Sequence, residues 1–202
     1  MGGTFDPPHT GHLLAASDAV DHLALDRLVF IPAAQQPLKQ HQEAAPAGHR
    51  LRMLQVMTQG DARFSVDEIE IQRTGLSFTV ETLEEYARRL PDSERFLLLG
   101  ADAFALLDQW RDPARVVSLA HVVVLTRASA AGAPPDERAL EDVIARVRAI
   151  GGPGASAPRV IPTRRVDVSS TEIRARVRAG RPIRGFVTDA VASYIESNGL
   201  YR

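Results

Sequence analysis

The sequence predicts an α/β fold built on a doubly wound, mostly parallel sheet with helices on both faces. Apolar runs of strand length alternate with segments of helical periodicity along the chain, which is the order typical of parallel sheets. Two of the runs, residues 95–100 and 121–126, are hydrophobic nearly throughout, as strands covered on both faces are. A glycine-rich turn leads into a helical segment near residue 11, and doubly wound domains bind phosphate at such a turn.

The same patterns predict the other elements. Strands are expected at residues 27–32 and 159–162, and residues 64–71, which alternate only in part, are expected to lie at a sheet edge. Because no linker divides the chain, residues 1–202 are expected to form a single domain. Helices are predicted at residues 11–23, 49–58, 79–90, 137–149, 171–179 and 188–197.

Composition excludes several kinds of function. The formal net charge is -1 and no long block carries one sign, which argues against a general binder of nucleic acid or of anionic membranes. The chain has no cysteine, so disulfides, thiolate catalysis and cysteine-based zinc sites are excluded. No apolar run approaches the length of a membrane span, and the N-terminus lacks the basic and apolar segments of a secretory signal. A cytoplasmic location is therefore expected.

The first twelve residues, Met-Gly-Gly-Thr-Phe-Asp-Pro-Pro-His-Thr-Gly-His, predict a phosphate-binding turn. Gly2 and Gly3 allow close backbone approach, and the helix that starts near Gly11 aims its free N–H groups at the turn. His9 and His12 are three residues apart and so lie on one face of the first helical turn, where they suit hydrogen bonding to phosphate. Each feature alone has a structural explanation, since paired glycines often form a simple turn and a lone histidine is often structural.

The strand that should precede this turn is nearly absent from the chain. In a doubly wound, Rossmann-like domain a full strand normally enters the first phosphate-binding turn, but here only Met1 precedes the two glycines. Either the sheet starts without that strand, or the chain as given is shorter than the functional protein.

A second motif, Val-Ser-Ser-Thr-Glu-Ile-Arg, occupies residues 168–174. Ser169 with Glu172 three residues later fits a capping box, which is common at any helix start. Hydroxyls and N–H groups at a helix N-terminus also suit phosphate, and Arg174 follows one turn later. The two explanations are compatible, because a capped helix can still bind an anion.

These two motifs resemble the signature of bacterial nicotinate-mononucleotide adenylyltransferases, a branch of the nucleotidylyltransferase superfamily. In that family Gly-Gly-Thr-Phe-Asp-Pro precedes His-x-Gly-His, and the second motif reads Ile-Ser-Ser-Thr-x-Ile-Arg, from which this chain differs only at Val168. The resemblance implies catalytic roles for His9, His12 and Arg174, with the ATP phosphates held between His12 and the second motif. The other ATP-binding residues that it implies are Gly3, Thr4, Phe5, Gly11, Ser169, Ser170 and Thr171.

A further group of candidate residues lies in the middle of the chain. Gly100 and Asp102 stand at the carboxyl end of a predicted strand, where parallel sheets bind ligands, and Asp102 suits either ribose hydroxyls or a helix cap. Trp110, the only tryptophan, suits either a core anchor or a ring that stacks on a planar base. Lys39 is the only lysine among 24 basic residues, either through base composition or because the position needs a compact ammonium.

The resemblance extends to this region, where Arg-x-Gly-x-Ser-Phe-Thr and a Gly-x-Asp…Trp arrangement follow the family pattern. It implies that Asp102 meets the ribose of nicotinate mononucleotide and that Trp110 stacks on the pyridine ring. It also implies that backbone amides near Thr79 and Arg111 receive the nicotinate carboxylate. The implied mononucleotide-binding residues are Lys39, Thr79, Gly100, Asp102, Trp110 and Arg111.

Three further details bear on the resemblance to this family. The family has Pro-Pro-His-Lys where this chain has Gln-Pro-Leu-Lys, so the contact of that histidine is lost or substituted at Leu38. The tail, residues 194–201, resembles the family ending and is expected to be structural. Asp6 is expected to be a turn residue, with a role as an outer-shell partner as the alternative.

The implied reaction joins nicotinate mononucleotide to ATP, giving nicotinate adenine dinucleotide and pyrophosphate in NAD biosynthesis. Mg²⁺ is expected to be carried mainly by the ATP phosphates, and no protein ligand is assigned to it. The expected partners are ATP and nicotinate mononucleotide, without nucleic acid or membrane, and a homodimer is left open.

Two alternatives stay open. One is another transferase of the superfamily, such as a phosphopantetheine adenylyltransferase or a cytidylyltransferase. The Ser-Phe-Thr stretch and the Asp102…Trp110 pair argue against this alternative. The other is a nucleotide-binding protein that is inactive because its first strand is missing. A Rossmann oxidoreductase is set aside, because Gly-x-Gly-x-x-Gly after the first strand is absent.

Overall fold

The computed structural model describes residues 1–35, 37, 44–73, 75–127, 137–152, 155–156, 158–164 and 166–202. The chain divides into two compact units. We call Gly2–Ser77 together with Val166–Arg202 the terminal unit, and Phe78–Arg165 together with Met1 the middle unit. The prediction that residues 1–202 form one domain stays a prediction.

Strands and helices alternate along the chain. The strands are β1 (Gly2–Gly3), β2 (Leu28–Pro32), β3 (Phe64–Val66), β4 (Phe96–Gly100), β5 (His121–Arg127) and β6 (Arg159–Thr163). The helices are α1 (Thr10–Leu23), α2 (Ala47–Thr58), α3 (Ile69–Arg73), α4 (Thr79–Arg89), α5 (Ala101–Phe104), α6 (Pro113–Leu119), α7 (Glu137–Gly151), α8 (Ser170–Arg178) and α9 (Asp189–Ser197). A 3₁₀ helix, Leu107–Gln109, lies between α5 and α6.

In the terminal unit, β1, β2 and β3 form a parallel sheet in that order. Gly3 pairs with Pro32, so the two-residue β1 fixes the glycines against the end of β2. Phe30 is fully buried in β2 and meets Phe64 edge to face, with 5.7 Å between ring centroids. Helix α2 packs against α9, which brings the C-terminal part of the chain onto the N-terminal part.

In the middle unit, β4, β5 and β6 form a second parallel sheet. Leu98 pairs with Val123 in the centre of this sheet, and both side chains are buried. Helices α4, α6 and α7 contribute buried apolar residues to one core with alternate residues of β4 and β5. Leu98 and Val123, which alternate with those core residues, are buried as well, and burial on both faces explains why the two strands are hydrophobic along most of their length. Together the two sheets and their flanking helices confirm the predicted α/β class.

The main error of the sequence-based prediction lies at residues 64–71. We predicted one strand there, but β3 ends at Val66 and α3 begins at Ile69. The Asp67 carboxylate accepts the N–H of Ile69 at 3.0 Å, and this local bond turns the chain from strand to helix. The short helices α5 and α6 were missed as well. Within the described residues, no helix combines the length and the apolar character needed to cross a membrane.

Candidate functional site

The glycine-rich turn is closely packed around Phe5. Phe5 has a φ of 52°, in the left-handed region, and its ring is buried with 5.0 Å between its centroid and that of His12. A Cβ at Gly3 would lie 3.0 Å from the Phe5 ring, so a side chain at that position would displace the ring. Gly3 therefore lets the end of β1 pass close to the Phe5 ring without moving it.

The two histidines of the first motif lie together at the start of α1. His9 is the residue that precedes the first helical turn, and its backbone N–H donates to Nδ1 of His12 at 3.2 Å. Their rings stack with 3.7 Å between centroids. A Cβ at Gly11 would come within 3.0 Å of His9 Nδ1, so Gly11 leaves room for the His9 ring.

The environment of His12 keeps its imidazole neutral. Burial, with a smaller contribution from the neighbouring His9, lowers the pKa of His12 from 6.5 to about 3. Because Nδ1 accepts the backbone N–H of His9, the neutral ring carries its proton on Nε2. His12 therefore presents an N–H donor without a positive charge of its own.

The second motif lies against the first. Arg174 donates from Nη1 to the backbone carbonyl of Asp6 at 2.7 Å, and Ser170 Oγ donates to the carbonyl of Pro7 at 2.8 Å. Arg174 Nη2 also donates to Thr171 Oγ1 at 3.3 Å. Helix α8 thus brings its first turn to the loop between β1 and α1, although the residues in contact are 168 and 163 positions apart.

The capping role expected for Ser169 is present. Ser169 has extended backbone angles, and its Oγ accepts the N–H of Glu172 at 3.1 Å. Ser169 and Thr171 are exposed, so their hydroxyls face solvent at the start of α8. The helix start is therefore both capped and accessible.

Asp6 is more than the turn residue that we favoured from the sequence. Its carboxylate is buried, and Oδ1 accepts the Tyr201 hydroxyl at 2.7 Å and the Ala45 N–H at 3.0 Å. Oδ2 lies 3.6 Å from Arg174 Nη1. This arrangement agrees with the alternative that the sequence left open, in which Asp6 supports residues around the site.

Sequence reasoning missed Arg50, which has almost no exposed surface. Its guanidinium donates to the carbonyl oxygens of Thr4 at 2.8 Å and Ala33 at 2.7 Å, and so joins the glycine-rich turn to the residue after β2. Burial lowers the pKa of Arg50, and the nearby Asp6 carboxylate opposes that shift. Charged residues in helices are usually exposed, so an arginine inside the helical pattern of residues 49–58 does not predict a buried contact with the turn.

In the middle unit, Gly100 and Asp102 lie where β4 passes into α5. Gly100 is exposed, has an ordinary φ of -69°, and would place a Cβ in open space. The residue before α5 is Gly100, so the alternative that Asp102 caps the helix is wrong. Asp102 instead lies exposed in the first turn of α5, where a negative charge is favourable.

Thr79, Trp110 and Arg111 also belong to the middle unit. Thr79 is the first residue of α4, and Trp110 is partly buried with its ring packed against the core of the unit. The Arg111 guanidinium lies 4.7 Å from the centroid of the Phe78 ring and donates to Glu81 at 2.8 Å. The structure therefore brings α4 and the segment after the 3₁₀ helix together through Arg111.

Lys39 and Leu38 lie outside the described residues, so the role expected for Lys39 stays a prediction. The ATP-side candidates all lie in the terminal unit, and the other mononucleotide-side candidates all lie in the middle unit.

Comparison with known proteins identifies the class of protein to which the fold and the glycine-rich turn belong. The family model described as cytidylyltransferase-like matches residues 1–176. The chain of a Plasmodium falciparum nicotinic acid mononucleotide adenylyltransferase complexed with NaAD matches with a TM-score of 0.73, covering 99% of this chain and 94% of that chain. At 16% sequence identity this likeness concerns the fold alone.

Two curated relatives narrow the class. A protein of Gemmatimonas aurantiaca named "Probable nicotinate-nucleotide adenylyltransferase" is 52% identical, covering 100% of this chain and 90% of the relative. A protein of Roseiflexus with the same name is 42% identical, covering 100% of this chain and 96% of the relative. The chain belongs to the cytidylyltransferase-like nucleotidyltransferases and, within them, to the nicotinate-nucleotide adenylyltransferase family.

Proposed function

We propose that this enzyme transfers the adenylyl group of ATP to nicotinate mononucleotide, giving nicotinate adenine dinucleotide and pyrophosphate in NAD biosynthesis. The observation that carries the proposal is the convergence of the two motifs, in which Arg174 and Ser170 bond to the backbone of Asp6 and Pro7. Membership of the nicotinate-nucleotide adenylyltransferase family supports the choice of acceptor.

The transfer uses the mononucleotide's own phosphate as nucleophile. One of its oxygens forms a bond to the α-phosphorus of ATP, the bond from that phosphorus to the bridging oxygen breaks, and pyrophosphate leaves. The nucleophile is already anionic at neutral pH, so the protein needs to supply only positioning and charge stabilisation. No enzyme base and no covalent intermediate are required.

The residues at the start of α1 and α8 are proposed to hold the triphosphate of ATP. His12 donates from Nε2–H, with His9 beside it, at a helix N-terminus that itself favours anions. At the other helix start, Arg174 contributes the positive charge that a neutral His12 cannot. The remaining proposed ATP contacts are Gly3, Thr4, Phe5, Gly11, Ser169, Ser170 and Thr171.

The middle unit is proposed to bind nicotinate mononucleotide. The exposed Asp102 accepts from the ribose hydroxyls, and the partly buried ring of Trp110 offers a face to the pyridine. The backbone N–H groups at Thr79 and Arg111 are proposed to receive the carboxylate, a group that prefers several donors. Gly100 contributes open space, and Lys39 is proposed to add a positive charge to the mononucleotide site.

Mg²⁺ is proposed to enter with ATP. Among the described residues, no three histidine, aspartate or glutamate side chains form a group that could hold a metal ion. The side chains beside the turn are mainly donors, which suit phosphate oxygens, and the Asp6 carboxylate is engaged by Tyr201, Ala45 and Arg174. An ion coordinated largely by substrate phosphates fits such surroundings. A cytoplasmic location and the absence of nucleic-acid partners stay predictions, and a homodimer stays an open alternative.

A pyrophosphate-release assay tests the proposed function. ATP is mixed with nicotinate mononucleotide, its amide, phosphopantetheine or glycerol phosphate, and we expect the fastest release with nicotinate mononucleotide. Mass spectrometry of that reaction should detect the dinucleotide. Equal release without any mononucleotide acceptor would contradict the assignment, and ATP binding with no turnover would support the inactive nucleotide-binding alternative.

A further inference from the structure

The end of the chain reaches the phosphate turn through Tyr201. After α9, Gly199 has a φ of 61° and Tyr201 a φ of 65°, so the chain turns back sharply instead of continuing outward. The N–H of Leu200 donates to the carbonyl of Ile195 at 3.1 Å and holds this reversal. The left-handed backbone conformation is unfavourable for a tyrosine. A residue keeps such a conformation only where other contacts hold it in place.

The main contact that holds Tyr201 is with Asp6. The Tyr201 hydroxyl donates to Asp6 Oδ1 at 2.7 Å, while the same carboxylate has its other oxygen 3.6 Å from Arg174 Nη1. Burial and this hydrogen bond raise the pKa of Tyr201, so the hydroxyl keeps its proton and stays a donor at neutral pH. The Asp6 carboxylate therefore lies between a residue of the C-terminal tail and the arginine proposed to bind ATP.

The Asp6 carboxylate is one of the groups that surround the Arg174 guanidinium. The Arg174 side chain is about a quarter exposed, and its Nη1 is held by the backbone carbonyl and the carboxylate of Asp6. The hydrogen-bond partners of a buried carboxylate fix its orientation, and the loss of one partner is costly. If the Tyr201 hydroxyl were missing, Asp6 Oδ1 would keep the Ala45 N–H alone, and the carboxylate could rotate away from Arg174.

We propose that Tyr201 is a positioning residue for ATP: through the Asp6 carboxylate it orients the Arg174 guanidinium towards the triphosphate. The tail, which from the sequence was expected to be only structural, thus takes part in substrate binding. The inference rests on the proposed function for the identity of the ligand. It extends that function by adding a residue that does not itself touch the nucleotide.

The test measures equilibrium binding of MgATP, without acceptor, to the wild type and to Tyr201→Phe. The substitution removes only the hydroxyl, and we expect the Kd for MgATP to rise several-fold while the Kd for nicotinate mononucleotide stays unchanged. Tyr194→Phe is the matched control, because it removes a hydroxyl of α9 that is 2.9 Å from His49 Nδ1 and lies outside the proposed site. Thermal unfolding of both variants shows whether any loss of stability is shared.

A double variant separates positioning from a general structural effect. If Tyr201 acts through Arg174, the effect of Tyr201→Phe on MgATP binding should largely disappear in an Arg174→Lys background, because the arginine fork that it orients is gone. An unchanged Kd in Tyr201→Phe, an equal rise in Tyr194→Phe, or full additivity with Arg174→Lys would overturn the proposal. Failure of the wild type to release pyrophosphate with nicotinate mononucleotide would instead contradict the proposed function.

Discussion

His12 accepts a backbone N–H through Nδ1 and is neutral at ordinary pH, so the contribution that we propose it makes to triphosphate binding comes from the Nε2–H donor. Such a donor matters most where charge develops as pyrophosphate leaves. We predict that His12→Ala lowers kcat by roughly 10²-fold or more while the protein stays folded. Steady-state kinetics check this, with His22→Ala as the control, because His22 is an exposed imidazole near the other end of α1. Near-normal turnover of His12→Ala would refute the role.

The same buried imidazole makes stability depend on pH. The unfolded chain binds a proton at His12 below pH 6.5, whereas the folded protein does so only near pH 3. Between these values the unfolded state holds more protons, so the free energy of unfolding falls as the pH is lowered. From pH 7.5 to 5.5, the wild type should lose about 1 kcal/mol relative to His12→Gln. Urea unfolding of both proteins at the two pH values measures the difference, and parallel pH dependences would contradict burial of a neutral His12.

Individual residues also show which parts of the candidate site could be predicted from the sequence and which could not. Gly3, Gly11, His9 and His12 could be predicted as candidates for a phosphate-binding turn because their types and spacing are local features of the first motif. Arg50 and Tyr201 could not, because each acts through a contact between segments far apart in the chain. A carboxylate such as Asp6 fits a turn equally well on local grounds, and only its buried partners reveal the larger role.

At the scale of elements, Ser169 at the start of α8 has a structural role, and we propose a binding role for it as well. Its hydroxyl caps the helix, and loss of such a cap typically costs about 1 kcal/mol. Thr188 caps α9 in the same way, accepting the N–H of Val191 at 3.4 Å, but lies outside both motifs. The two caps therefore form a matched pair for separating stability from function.

We predict that Ser169→Asp keeps most of the stability but weakens MgATP binding strongly. Aspartate is as good a cap as serine, yet it places a negative charge where the triphosphate is proposed to lie. Thr188→Asp should leave both stability and MgATP binding close to the wild type. Chemical unfolding and calorimetric titration measure the two quantities, and equal MgATP affinities for the two variants would show that Ser169 only caps α8.

The elements that were predicted correctly could be recognised for a common physical reason, which is the length of their hydropathy patterns. Strands β2, β4 and β5 carry long apolar runs, and α1, α4 and α9 carry a helical pattern long enough to stand out. Helices α5 and α6 were missed because elements of four and seven residues leave little periodicity to detect. The turn from β3 into α3 depends on one carboxylate bond, that of Asp67 to the N–H of Ile69, which a hydropathy pattern does not register.

At the scale of the whole molecule, the candidates for the two substrates fall into different units. The ATP candidates come from the two ends of the chain, and the described mononucleotide candidates come from residues 78–165. The motifs predict which residues serve each substrate, but the sequence could not show that the units are built from such different parts of the chain. If each unit binds its own substrate, a local change in one unit should alter one Michaelis constant and spare the other.

Gly100→Ala tests this division in the middle unit. The new methyl group would lie in open space apart from its neighbours in the chain, and the φ of -69° suits alanine. The small loss of helix capping is of the same order as the gain from a less flexible unfolded chain, so stability should change little. If Gly100 leaves space for the mononucleotide, the methyl group should raise the KM for nicotinate mononucleotide several-fold and leave the KM for ATP unchanged.

Gly48→Ala is the matched control, because Gly48 lies in α2 of the terminal unit and its added Cβ would also meet open space. Both Michaelis constants should stay at the wild-type values in that variant. A wild-type KM for nicotinate mononucleotide in Gly100→Ala would remove Gly100 from the binding surface. A parallel rise in the KM for ATP would contradict the division of the two substrates between the units, since a methyl group in the middle unit would then disturb both.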